Sequence, residues 1–222
     1  MKKSGKEILL RVVILIVGLT IAHLGVTLFL LANLGTDPFN VLIQGLHRLI
    51  GNPRITHGTV HICICFLIIL ILLFVDRSYI GIGTIICMFC GGPIIDFFTL
   101  LLGPLFAGEI SLVIRIAVNI LGCVILAFGM TIVIKSEAGT GPNDLVAVVL
   151  SDKLKKPFGI VRVIVDLLFT GIGYALGGTV GIGTIICAFF VGPVANFFFP
   201  PVEKTVKTLT AKFNATAQNE SK

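Results

Sequence analysis

Asp37, Asn40, Asp96, Asn143, Asp144, Asp166 and Asn196 stand in or beside strongly apolar stretches, where packing alone calls for neither carboxyl nor amide. In the hydrocarbon of a bilayer a charged side chain costs about 2.5–3.5 kcal/mol on insertion scales, so such residues serve ion or proton sites or are paired. Asp166 follows Arg162 by four residues, one turn along the same helix face, where the two can pair. The pair reads as a neutralised clamp or as an ion or proton site, and the residues alone leave both open.

Two turns carry most of the remaining polar chemistry. Asp37 and Asn40 belong to the run Gly35-Thr36-Asp37-Pro38-Phe39-Asn40, and Asn143 and Asp144 to Gly139-Thr140-Gly141-Pro142-Asn143-Asp144. Pro38 and Pro142 suit the first position of a helix, where a missing N–H costs nothing. Asp37 suits a helix cap, and Gly35 and Gly139 permit a sharp reversal. The functional reading is a pair of half-helix N-termini aimed at a central pathway, their positive ends favouring an anionic group or orienting water. The plainer reading is helix punctuation at the membrane interface.

Gly92-Pro93 precedes Asp96, and Gly192-Pro193 precedes Asn196. Proline inside a span frees a backbone carbonyl, so a break is expected in each of these helices. The expected result is two polar clusters, Asp37 with Asn40 and Asp96 on the outer side, and Asn143 with Asp144 and Asn196 on the inner side. For Asp96 the plainer alternative is a side chain that reaches out to water. His23 and Asn119 are lone polar residues, expected to hydrogen-bond a neighbouring helix.

Several function classes drop out. No nucleophile–base pair, HExxH, P-loop or dinucleotide fingerprint is present, so no catalytic residue is named and no enzyme activity is expected. The four histidines have no metal-site spacing, and the six cysteines lie in apolar segments, where small buried packing residues are expected. No metal and no cofactor are called for. The net charge of +6 sits in tails and connections, which argues against a nucleic-acid face.

The elements that must position these residues follow from composition. Of the 222 residues 56% are hydrophobic and 13% charged, with mean hydropathy +1.07. The apolar residues form runs long enough to cross a bilayer, at about 10–33, 57–75, 81–102, 111–134, 159–177 and 182–200. Two shorter stretches, 39–50 and 143–151, follow the first and fourth runs and are expected to be interfacial or re-entrant half-helices. With the N-terminus inside, fourteen basic residues (Lys2, Lys3 and Lys222 among them) fall on the inner side and three, Arg48, Arg54 and Arg115, on the outer. Both termini are therefore expected on the cytoplasmic side of a bacterial plasma membrane. Residues 202–222 read as a polar cytoplasmic tail with a short helix at most. A glycosylation sequon at Asn214 would then never meet its enzyme.

The chain repeats itself. GIGTIICMFCGGPIIDFF from Gly81 and GIGTIICAFFVGPVANFF from Gly181 match at twelve of eighteen positions. Arg11 aligns with Arg115, Gly18 with Gly122, Gly25 with Gly129, and the Gly35 turn with the Gly139 turn. Gly58 falls near Gly159 and His61 near Arg162. The reading is an all-α membrane protein of two units, 1–104 and 105–201, each with three spans and a half-helix. An odd number of spans requires the second copy to enter the bilayer inverted.

LGTDPFNVLIQGL after the first span, GIGT…GGPIID in the third and GGTVGIGT…VGP in the sixth resemble the YczE-like branch of the bacterial YczE/YyaS/YitT membrane proteins. The likeness covers roughly residues 8–200, and the Arg162 and Asp166 pair resembles one in that branch. The YitT branch carries a soluble C-terminal domain where this chain has a short tail. Many relatives carry Pro-Trp-Asp where this chain has Pro38-Phe39-Asn40. The resemblance implies the fold and the location and supplies no substrate. The favoured reading is a small-solute or ion transporter or channel-like protein, its pathway lying between inverted repeats. The alternative is a non-transporting scaffold or accessory subunit that binds a membrane-protein partner or another copy of itself.

Overall fold

The structure, a computed structural model, describes residues 5–219, with side chains through 213. Lys2, Lys3, Lys222 and the Asn214 side chain lie outside that description. The order is α1 (Gly5–Ala32), α2 (Pro38–Ile50), α3 (His57–Asp76), α4 (Ile82–Leu102), α5 (Leu112–Ser136), α6 (Pro142–Leu154), α7 (Phe158–Ala175) and α8 (Ile182–Asn219). Among the described residues six helices, all but α2 and α6, are long and apolar enough to cross a membrane.

The centre is an antiparallel crossing of α1 and α5. Arg11 reaches Ser136 and Arg115 reaches Ala32, so the two helices run in opposite directions. Glycine makes the approach close. A Cβ on Gly25 would lie 2.5 Å from the Leu126 backbone nitrogen, and one on Gly129 would strike the Ala22 backbone. Such small-residue crossings gain their energy from van der Waals packing, because lipid removes the hydrophobic drive between helices.

Matching residues of the two units make matching contacts. Arg11 Nη1 donates to Ser136 O at 3.1 Å, and Arg115 Nε to Ala32 O at 2.7 Å, so each arginine caps the C-terminal carbonyls of the other unit's first helix. Gly83 N donates to Ala138 O at 3.0 Å, and Gly183 N to Leu34 O at 2.8 Å. The bends repeat as well, with left-handed backbone at Asn33 (φ 49) and Glu137 (φ 51), and positive φ at Gly35 and Gly139.

The helices divide into two groups. α4 packs on α1 and α8 on α5, which extends the central crossing to four helices. α2 packs on α3 and α7, and α6 on the same two, which makes a second four-helix group. The main junction between the groups is α3 against α4.

Two expectations change. The breaks at Pro93 and Pro193 do not occur; α4 and α8 pass through them as continuous helices. A bilayer offers freed backbone groups no water, so the turns on either side keep their ladder and only the local bond is lost. The tail is also more ordered than its polarity predicts. α8 continues through Pro200 and Pro201, and Val202 and Val206 bury one side of it against Ile14 of α1. Their spacing of four puts both on one helix face. Lys135 pairs with Glu203 at 2.5 Å beside that contact.

Candidate functional site

At the first turn α1 ends and the chain reverses at Gly35, φ +103. A Cβ there would also press on the Thr184 hydroxyl at the start of α8. Pro38 opens α2 and Asp37 caps it. Asp37 Oδ1 accepts from the Asn40 backbone N–H at 3.2 Å, and Oδ2 from Thr36 Oγ1 at 3.1 Å and Asn40 Nδ2 at 2.9 Å. Asn40 Oδ1 then accepts from His57 Nε2 at 3.0 Å. One turn along α3, His61 meets His23 of α1 edge-on, ring centroids 5.7 Å apart, and Phe39 at 5.5 Å. Gly91 of α4 leaves the room: a Cβ on it would sit 2.8 Å from His61 Cε1 and 2.9 Å from His23 Nε2.

At the second turn Gly139 (φ +147) reverses the chain and Pro142 opens α6. Asn143 Nδ2 donates to Asp144 Oδ1 at 3.1 Å. The same oxygen accepts from Arg162 Nη1 at 2.6 Å, while Arg162 Nε donates to Asp166 Oδ2 at 2.9 Å. Arg162 therefore bridges two carboxylates, and the triad is net negative when all three are ionised. Its side chains are 28%, 28% and 27% exposed, so the triad is only partly enclosed by protein. Asp166 Oδ1 is buried and has no hydrogen-bond partner among the described residues.

The expected residues thus assemble in part. Asp37 and Asn40 join directly, with Thr36. Asp96 stands one step away: it accepts from Thr56 Oγ1 at 2.5 Å and from Gly58 N at 2.9 Å, so it caps α3, the helix that carries His57. It is anchored to protein rather than reaching for water. Asn143 and Asp144 join Arg162 and Asp166. Asn196 does not join them, because α8 stays on α5 and leaves its side chain exposed. Thr140 is half-buried and takes no part in the hydrogen bonds of the triad. The α2 N-terminus is met by the chain's own Asp37, which fills the anionic place expected there, whereas α6 has no side-chain cap and Asp144 in its first turn bonds Asn143 and Arg162 instead.

The histidines were missed. His57, His61 and Cys65 recur every four residues and so share a face of α3, which the sequence carries; the arrival of His23 from α1 it does not. Nor does His23 bond a neighbouring helix: its Nδ1 pairs with Leu19 O on its own helix at 2.9 Å. Asn119 lies fully buried over Gly183, and neither amide atom has a hydrogen-bond partner among the described residues.

A family of unknown function, DUF6198, matches residues 9–200, which include both turns and both polar groups. The chain belongs to that family. It is similar to the uncharacterized membrane protein YczE of Bacillus subtilis (strain 168), 28% identical over 196 residues, 88% of each chain. It is also similar to the uncharacterized protein YyaS of the same organism, 26% identical over 188 residues, 85% of this chain and 92% of that one. An uncharacterized protein of Haemophilus influenzae is 27% identical over 188 residues, 83% and 81% of the two chains. No solved structure matches. Family and helices together make this a multi-pass membrane protein that lives in a lipid bilayer.

Proposed function

We propose that the chain carries a small solute or an ion across the membrane, along a polar pathway between its two inverted repeats. The observation that carries the reading is a set of charged residues, Asp37 and Asp144 at the starts of the two half-helices and Arg162 and Asp166 on α7, each partly exposed within an otherwise apolar bundle. A scaffold has no need of such a group, and lipid penalises it. The antiparallel α1 and α5 and the reciprocal arginine caps support two units inverted in the bilayer. The excess of basic residues on one side supports cytoplasmic termini in a bacterial plasma membrane. We assign no catalytic step.

The test has two stages. A thermal-shift screen of the purified chain against ions and metabolites identifies a ligand by the stability it adds. Flux of that ligand into proteoliposomes is then expected for the wild type and lost in Asp166→Asn and Asp96→Asn, both still folded. Normal flux in both variants would return those residues to structure. A stoichiometric membrane-protein partner with no flux for any solute would favour the scaffold.

A further inference from the structure

The two units treat their second and third spans differently. In the first unit Gly58 of α3 and Gly92 of α4 lie back to back, and a Cβ on either would strike the other's carbonyl. Asp96 locks this seam by accepting from Thr56 and Gly58 at the start of α3. In the second unit the corresponding Gly159 and Gly192 face open space, with nothing within 4 Å of a Cβ on either. Asn196, the counterpart of Asp96, is exposed. The start of α7 has no side-chain cap, so its first N–H groups lack the partner that Asp96 gives α3. An unused amide and an uncapped helix start are two halves of one contact that is not made.

The grouping of the helices explains what would make it. α3 and α7 belong to one four-helix group, α4 and α8 to the other, and the groups touch chiefly at α3 and α4. A rocking of one group against the other would open that seam and bring α7 and α8, one from each group, towards each other. We propose that the chain has a second conformation in which α8 seats on α7, Gly192 against Gly159, with the Asn196 carboxamide oxygen accepting from the first turn of α7, while α4 leaves α3 and Asp96 is released. Its purpose rests on the transport reading, since the exchange would turn the polar centre from one side to the other. The motion itself does not depend on a solute. Asp96 makes charge-assisted bonds where Asn196 makes neutral ones, which accounts for the closed first seam as the favoured state.

The test is disulfide trapping in the full-length chain in membranes. Gly159→Cys and Gly192→Cys are combined, with the exposed Cys63 changed to serine, and the bond is read by mass spectrometry. A disulfide within one chain is expected at low yield, absent from either single variant. Asp96→Asn is expected to raise the yield about tenfold, the scale of a lost charge-assisted bond. Gly58→Ala, which breaks the same seam by sterics, is expected to raise it as well. No bond, a bond only between two chains, or no rise in both added variants would overturn the exchange. Flux without trapping would remove the exchange and leave transport; trapping without flux would do the reverse.

Discussion

Around the first turn Asp37 is met by a hydroxyl, an amide and a backbone N–H; around the second Asp144 meets a guanidinium. The turns share their backbone pattern, yet Asn40 stands at the place of Asp144, His61 at that of Arg162 and Cys65 at that of Asp166. His61 is 5% exposed and Cys65 0%, whereas the Asp144, Arg162 and Asp166 side chains are 27–28% exposed. The charged triad sits in the unit whose seam is open; the unit whose seam is shut has imidazole and thiol at the matching α3 positions and holds its carboxylates, Asp37 and Asp96, in helix caps. Desolvating a triad of charges would cost several kcal/mol per ion, while imidazole and thiol can be buried neutral. Full burial therefore goes with the neutral His61 and Cys65, and partial exposure with the charged triad.

Removing the cation should break this contrast most sharply. Arg162→Ala leaves two carboxylates facing each other, and a loss of about 3 kcal/mol is expected, the low end for a buried pair because its side chains are only partly buried. For a chain of this size that lowers the melting midpoint in detergent by about 10 °C. An unchanged midpoint would mean that solvent screens the triad fully and that the units do not differ in charge cost.

The glycines sharpen the contrast next. Gly58→Ala should lose about 2 kcal/mol as its methyl meets the Gly92 carbonyl and the Asp96 carboxylate. Gly159→Ala meets nothing and should gain up to about 1 kcal/mol from helix propensity alone. Thermal melting of the pair reads the difference, and equal shifts would erase the distinction between shut and open seams. Smallest is the capping pair. Asp96→Asn should cost about 1.5 kcal/mol through the weakened bonds to Thr56 and Gly58, and Asn196→Ala less than about 0.5 kcal/mol, as an exposed residue away from such features. A larger loss at Asn196 in the same melting assay would show that α8 already uses it.

Much of this architecture was legible because the signals are local. The six runs, the two half-helices, the caps at Asp37, Pro38 and Pro142, the reversals at Gly35 and Gly139, and the Arg162–Asp166 pair each follow from residues within a turn or two of one another. The remainder depends on which helices touch. His23 reaches His61 because Gly91 leaves space between α1, α3 and α4, a coincidence of three segments. The repeat alone groups Asn196 with Asn143, but repetition fixes a fold and not the angle at which its halves lean. The continuation of α8 was hidden by polar composition, where Val202, Val206 and Thr210 form a narrow buried stripe.

That continuation has a mechanical consequence. At 38 residues α8 is about 57 Å long, at about 1.5 Å per residue, against a hydrocarbon core of about 30 Å. The excess projects past the bilayer as a lever on the same rod that would seat on α7. A tilt of about 10° at the span's middle would sweep its far end through about 7 Å, for an arm of about 42 Å. A probe near Thr208 would read that swing in solvent, so a motion confined to lipid announces itself to the aqueous side through a stiff pointer.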